Sequence, residues 1–190
     1  MIIGVEETKT GGMSQTSALV RISRKAKKGD AFRLKRGLYT DDPQESLLRI
    51  ANALMVPSYV SFEYALSFHG LIPEAVFEVT SASLWARGQP TFINHFGRFS
   101  YRNVPLSAYQ YGLIYVDQAA IASAEKALCD LLHTLPSVRS SKQLESLLFE
   151  DLRIDEYGFE QLNMEDLREL ASLYPGDTFR VLSHYIERKI

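Results

Sequence analysis

The chain has 190 residues, of which 46% are hydrophobic and 23% charged, and its mean hydropathy is -0.11. This composition excludes collagen-like, disordered and membrane-spanning proteins and is typical of a folded globular protein. The single cysteine, Cys129, excludes an internal disulfide. No amino-terminal stretch joins a basic segment to a long apolar run, so we expect a cytoplasmic protein.

Charge is divided unevenly along the chain. Residues 1–40 contain nine Lys or Arg and three acidic residues, which gives a net charge of +6. The remaining 150 residues contain 12 Lys or Arg and 20 acidic residues, which gives a net charge of -8. A basic segment attached to an acidic body indicates that the basic segment contacts a polyanion. The same run of Lys and Arg also fits a solvated helix face that binds nothing.

The chain is predicted to begin with a leader and a basic helix. Residues 1–12 are polar and show no periodicity, so we expect a flexible leader. Residues 14–28 hold a narrow apolar stripe around Ile22 among Ser, Thr, Lys and Arg, which predicts a basic helix. Gly29 is placed to end this helix.

A basic hairpin is predicted directly after the helix. Residues 31–39 alternate apolar with basic or small side chains and predict two strands that turn near Gly37. Together, residues 13–40 are typical of the second half of a winged helix-turn-helix, in which the helix enters the major groove and the hairpin contacts the backbone. The side chains expected to bind DNA are Arg21, Arg24, Lys25, Lys27, Lys28, Arg33, Lys35 and Arg36.

Residues 41–190 predict a body that contains both helices and strands. One helix is expected from Asp42 to about Met55 and another over residues 62–69, with Ser61 as its N-cap. Strands are predicted over residues 74–83, 91–95, 98–104 and 113–116. Further helices are predicted over residues 123–135, 142–150, 165–174 and 178–188. The expected fold class is α+β: a partial winged helix-turn-helix followed by a small, mainly antiparallel sheet packed with a C-terminal helical bundle.

No motif indicates a catalytic residue, a cofactor or a metal, so we expect no enzymatic activity. The four histidines lack partners at zinc-binding spacing, and no Gly-rich phosphate loop is present. His69 is expected to cap a helix C-terminus rather than act as a base. The combination of Asp117, Glu125 and Lys126 faintly resembles a metal-dependent nuclease site, the one alternative that is an enzyme. Because Glu125 and Lys126 are adjacent in the first turn of a helix, we expect Glu125 to favour the helix dipole and Lys126 to be exposed.

Several segments resemble a known family in their order and spacing. They are Arg36-Gly37-Leu38-Tyr39, Tyr59-Val60-Ser61, Ala65-Leu66-Ser67, His69-Gly70-Leu71-Ile72-Pro73-Glu74, Phe96-Gly97-Arg98-Phe99-Ser100-Tyr101-Arg102, and Ala122-Ser123-Ala124-Glu125-Lys126-Ala127-Leu128 with Asp130. Over residues 30–188 the chain resembles AbiEi-type antitoxins, which are also described as predicted transcriptional regulators of viral defence systems.

The resemblance implies a DNA-binding transcriptional regulator and antitoxin of an abortive-infection type toxin-antitoxin system. Its winged helix would repress its own operon by binding duplex DNA at the promoter. Its C-terminal domain would neutralise a toxin of nucleotidyltransferase type, without a catalytic residue or cofactor. The family has two further helices before the basic one, whereas 13 residues precede Ser14 here, so we expect a winged helix that is truncated, completed by a second chain, or no longer functional. The alternative is a protein-binding antitoxin module that lacks autonomous DNA binding.

Overall fold

A computed structural model describes residues 2–4 and 15–188 of the chain. Within these residues the fold is mixed, with eight α-helices, a three-stranded antiparallel sheet and a six-stranded mixed sheet, which confirms the predicted α+β class. The helices are α1 Gln15–Lys27, α2 Leu47–Leu54, α3 Phe62–Phe68, α4 Ala124–Thr134, α5 Ser141–Glu145, α6 Glu156–Glu160, α7 Met164–Ser172 and α8 Asp177–Glu187. The strands are β1 Ile2–Gly4, β2 Phe32–Lys35, β3 Leu38–Thr40, β4 Ser58–Val60, β5 Glu78–Ser83, β6 Thr91–Asn94, β7 Gly97–Asn103, β8 Leu113–Val116 and β9 Ala119–Ala122.

The basic helix and hairpin predicted from the sequence are confirmed, and they belong to the three-stranded sheet. Gly29 follows α1 at a φ of 83°, and Gly37 turns the hairpin at a φ of 80°, two backbone positions that favour glycine. The strand order is β1-β3-β2. The prediction of a flexible leader is wrong for Ile2–Gly4, because these residues pair antiparallel with β3 and complete its second edge. The rest of the predicted leader, residues 5–12, lies outside the described residues.

The prediction that a helix begins at Asp42 is wrong, since α2 begins at Leu47. The Asp42 carboxylate accepts a hydrogen bond from the backbone N–H of Gln44 at 2.8 Å, which closes a tight turn instead. Glu45 faces inward and accepts a hydrogen bond from the Thr40 hydroxyl at 3.0 Å. The Glu45 carboxylate therefore does not accept a hydrogen bond from the Asp42 N–H, as a capping box would require.

Helices cover both faces of the six-stranded sheet, whose strand order is β6-β7-β5-β4-β9-β8. On one face, the Tyr101 hydroxyl of β7 donates to the Ala51 carbonyl of α2 at 2.6 Å. On the other face, the Tyr59 hydroxyl of β4 donates to Asp130 of α4 at 3.0 Å. The strand predicted over residues 98–104 is confirmed as β7, along which Phe99 and Tyr101 are buried while Arg98 and its same-face neighbours are not.

Two central strands, β4 and β9, are absent from the sequence-based prediction. They pair in parallel at Val60 and Ile121, and both of these residues are fully buried. Two of three residues in β4 and three of four in β9 are buried, so neither strand alternates buried with exposed positions, and β9 consists mostly of alanine, which is depleted in strands. The predicted C-terminal helices are confirmed as α4, α5, α7 and α8, with α5 continuing into a π-helical turn, Ser146–Asp151.

Candidate functional site

Helix α1 presents its basic side chains away from the three-stranded sheet. Ile22 is buried, and the Ser23 hydroxyl lies 3.4 Å from the Tyr39 hydroxyl of β3, so this side of the helix packs on the sheet. The basic residues of α1 and the one that follows it are all exposed: Arg21, Arg24, Lys25, Lys27 and Lys28. Three of these lie in the last turn, where cations interact favourably with the helix dipole. The side chains are thus held together on one accessible face.

The hairpin β2–β3 carries two further exposed cations, Arg33 and Arg36. Lys35 has a different position. Its Nζ donates to the carbonyl of Leu54, the last residue of α2, at 2.6 Å and lies 5.9 Å from the centre of the Phe92 ring. Burial lowers the pKa of Lys35. The Lys35 ammonium therefore offsets the partial negative charge at the carbonyl end of α2. The other seven of the eight side chains expected to bind DNA are exposed.

The hairpin also packs against the body. Leu34 is buried in the main hydrophobic core, and the ring centres of Phe32 and His95 lie 4.7 Å apart in a stacked arrangement. The Asn94 side chain of β6 donates to the Leu34 carbonyl at 3.3 Å. A cut after Thr40, the predicted domain boundary, would therefore remove a core residue and uncover β6.

A buried group of polar side chains lies between α4, β4 and the end of α7. Lys126 and Asp130, one helical turn apart, each have an exposed fraction of 0%, and the Lys126 Nζ donates to Asp130 Oδ1 at 3.0 Å. The carboxylate also accepts hydrogen bonds from Tyr59 at 3.0 Å, Ser61 at 2.7 Å and Tyr174 at 2.6 Å. Lys126 donates to the Tyr174 hydroxyl as well. We call these five residues the Lys126–Asp130 network.

Thr80 makes the Ser61 hydroxyl available to this network. Ser61 occupies the N-cap of α3, as predicted, but its side chain makes no capping hydrogen bond. Instead, the Thr80 hydroxyl of β5 accepts from the Tyr64 N–H at 3.1 Å and donates to the Ser61 carbonyl at 2.6 Å. Since an N-cap hydroxyl normally accepts this N–H, Thr80 replaces Ser61 as the cap and Ser61 binds Asp130.

The surroundings of the network keep the hydroxyls of Tyr59 and Tyr174 protonated. Burial and the Asp130 charge raise the pKa of Tyr59 and of Tyr174, so both remain hydrogen-bond donors. Burial lowers the pKa of Lys126, and the neighbouring Asp130 carboxylate opposes this change. Because neither charged residue has exposed surface, a substrate cannot reach them in this structure. The network is suited to holding α4 against β4 and the end of α7.

The expectation that Lys126 is exposed is wrong. The side chains of Asp117, Glu125 and Lys126, which the nuclease alternative requires at one site, lie in three separate environments. Lys126 is bound to Asp130 in the core. The Glu125 carboxylate faces outward and accepts a hydrogen bond from the Asn163 N–H at 3.0 Å. Asp117 is exposed in the β8–β9 turn, at the opposite end of β9 from Glu125. This arrangement does not assemble two carboxylates and a lysine around one metal position.

The remaining candidate side chains are engaged within the fold. His69 ends α3 as predicted, and its Nε2 lies 2.8 Å from the Ala122 carbonyl. Cys129 is fully buried, and burial raises the pKa of its thiol. Among residues 2–4 and 15–188, no group of three or more His, Cys, Asp or Glu side chains is placed to hold a metal ion. None of the helices in the described part is long and apolar enough to cross a membrane.

Two features of the described residues therefore carry charge in a defined arrangement, the exposed basic face and the Lys126–Asp130 network. No family model matches the sequence, and no curated protein matches it either.

Proposed function

We propose that this protein is a DNA-binding transcriptional regulator and antitoxin of an abortive-infection type toxin-antitoxin system, acting in the cytoplasm. The observation that carries the proposal is the exposed basic face of α1 and the hairpin. Its seven cations are presented on a folded unit next to a body of opposite net charge. A set of exposed Lys and Arg on one helix and one hairpin is the electrostatic footprint of a duplex-binding module.

The geometry supports different roles for α1, which would enter a groove, and for the hairpin, which would contact phosphates. Helix α1 buries Ile22 and has its Ser23 hydroxyl 3.4 Å from that of Tyr39 in β3, so its exposed cations, which lie away from these contacts, would enter the groove. The hairpin carries Arg33 and Arg36, two exposed cations that would contact phosphates. Lys35 is excluded from the proposed DNA contacts, because its ammonium is already bound to the Leu54 carbonyl.

The antitoxin role is supported by the sequence resemblance and is assigned to the acidic body. Its net charge of -8 makes phosphate binding unfavourable and favours partners with basic surface. The proposed partner is a nucleotidyltransferase-type toxin, and neither activity requires a catalytic residue, a cofactor or a metal. The second candidate is a protein-binding antitoxin module without autonomous DNA binding. It is favoured by the position of Lys35, whose ammonium is bound to the Leu54 carbonyl and not exposed on the basic face.

Charge substitutions separate the two candidates. In the full-length protein, replacing Lys25, Lys27 and Lys28 with Gln should strongly weaken, at physiological salt, the gel shift of a duplex that carries the protein's own promoter. The matched control replaces three exposed cations of the body, Arg87, Lys142 and Arg168, with Gln and should leave the shift unchanged. An equal loss in both variants would refute a localised DNA site. Absence of a shift with the unmodified protein would support the second candidate.

The antitoxin role is tested with the same variants in cells. The Lys25, Lys27 and Lys28 variant should lose repression of a promoter reporter but still rescue cells that express a nucleotidyltransferase toxin encoded beside its gene. The full chain is used because Leu34 belongs to the core. Failure of the unmodified protein to rescue those cells would refute the antitoxin assignment and leave the DNA-binding result intact.

A further inference from the structure

The two edges of the six-stranded sheet differ in how they are covered. At one edge, the hairpin packs on β6 through the hydrogen bond from Asn94 to the Leu34 carbonyl. At the other edge, β8 pairs only with β9 in the described part of the chain, so its outward backbone groups have no strand partner there. The sequence of β8, Leu-Ile-Tyr-Val, holds neither a charge nor a proline, the features that usually protect an open edge.

A groove of about 580 Å³ lies beside the beginning of β8. Its lining includes Tyr111 and Ile114, together with Leu170 of α7 and Leu173, which directly follows α7. Tyr111 and Ile114 are 58% and 39% exposed, and Tyr115, the next residue of β8, is 76% exposed. Apolar side chains along an open edge are typical of a surface that a second chain covers.

The groove has a strongly one-sided charge. Its lining includes three carboxylates, Glu125, Asp166 and Glu169, and no Lys or Arg. Glu125 accepts a hydrogen bond from the Asn163 N–H, which holds it at the rim. Asp166 and Glu169 project from α7 and are exposed. An apolar floor with an acidic rim is complementary to a segment that alternates apolar and basic side chains.

We propose that the β8–α7 groove binds a basic, extended segment of another protein, which adds to β8 as a further strand. Backbone hydrogen bonds to the four residues of β8 would supply affinity, as in other cases of strand addition. Apolar side chains of the segment would contact Ile114 on one face of the added strand, and its Lys or Arg would face Asp166 and Glu169 of α7 on the other. This site is separate from the basic face, so it does not rest on DNA binding.

The test uses the full-length protein and a fluorescent peptide of sequence Lys-Val-Lys-Val-Arg-Val-Lys. We expect saturable binding by anisotropy and slower amide hydrogen exchange in Leu113–Val116, with no change in the covered strand β6. Replacing Asp166 with Asn and Glu169 with Gln should weaken binding about five- to tenfold. The matched control, Glu156→Gln with Glu165→Gln, removes two exposed acids that do not line the groove and should leave the affinity unchanged.

A second variant separates strand addition from charge attraction alone. Ile114→Ser keeps every carboxylate but removes an apolar side chain from the groove, so it should also weaken peptide binding. The proposal is overturned if the peptide does not bind, or if a peptide with Glu in place of each Lys and Arg binds equally well. It is also overturned if the Asp166 and Glu169 variant binds as tightly as its control. Each of these results leaves the DNA-binding proposal unaffected.

Discussion

Lysine side chains in two regions of this molecule have opposite surroundings. On α1, Lys25 and Lys27 are exposed on a helix whose other side packs on a small sheet. On α4, Lys126 has no exposed surface and is bound to a carboxylate and a tyrosine hydroxyl. Exposed charges change stability little and remain available to an anionic ligand. A buried, paired charge is available to no ligand, and removing its partner destabilises the fold.

The largest effect is expected from breaking the buried pair. Asp130→Ala leaves the Lys126 ammonium in the core without its carboxylate and should lower the free energy of unfolding by about 3–5 kcal/mol. The double variant Lys126→Met with Asp130→Leu removes both charges and should be more stable than Asp130→Ala alone. Urea unfolding measures both values. A loss below about 1 kcal/mol for Asp130→Ala would contradict a structural role for the pair.

A smaller effect is expected at Gly112, which packs against the same lysine. A Cβ added to Gly112 would lie 2.8 Å from the Lys126 Cβ, at a φ of 66° that favours glycine. Gly112→Ala should therefore cost about 2–3 kcal/mol. The control is Gly88→Ala, which has a similar φ of 70° but no atom within 4 Å of the added Cβ, and should cost about 1 kcal/mol. Equal losses in the two variants would show that contact with Lys126 is unimportant.

Alkaline pH tests the buried hydroxyls of the body. Burial raises the pKa of Tyr59, Tyr101 and Tyr174, so the folded protein keeps protons that the unfolded chain loses near pH 10. Stability from these groups is therefore complete below pH 10 and falls as the pH rises. The lowered pKa values of Lys35 and Lys126 act in the opposite direction and offset part of this loss.

We expect a net loss of roughly 2 kcal/mol between pH 10 and pH 11. Thermal unfolding across this range measures the loss, and tyrosinate absorbance shows how many of the ten tyrosine hydroxyls ionise before unfolding. A melting temperature that stays constant to pH 11 would contradict the burial of these groups.

The smallest effect on stability is expected on α1. Replacing Lys25, Lys27 and Lys28 with Gln removes cations from the end of the helix and should lower the free energy of unfolding by less than about 1 kcal/mol. Urea unfolding of this variant beside Asp130→Ala compares the two regions directly. A loss as large as that of Asp130→Ala would mean that the basic face is structural rather than free for binding.

The difference between the two regions also explains what the sequence could predict. The basic helix and hairpin are set by local signals, a narrow apolar stripe and glycines at positive φ, and both were predicted. The burial of Lys126 depends on the partners of Asp130, and Tyr59 lies 71 positions from Asp130 in the chain. One local signal was available, because the apolar run Ala127–Cys129 extends beyond a single helix stripe and indicates that α4 is buried on several sides.

Tertiary contacts also explain the other errors. Asp42 has the side chain of an N-cap, but its carboxylate closes a turn because Glu45 is drawn to Thr40. Lys35 alternates along its strand like a phosphate-binding residue, yet the end of α2 lies within its reach. In each case the local pattern was compatible with two partners, and packing with a distant element selected one of them.

The salt dependence of duplex binding tests whether the exposed cations of α1 and the hairpin contact DNA. If about six of the seven exposed cations contact phosphates, the logarithm of the association constant should fall with the logarithm of salt concentration at a slope of about -5. The slope should be shallower by about 3 when Lys25, Lys27 and Lys28 are replaced with Gln, and unchanged in the Lys35→Gln variant. A slope near zero for the unmodified protein, or equal slopes for all three proteins, would contradict the assignment of the basic face to DNA.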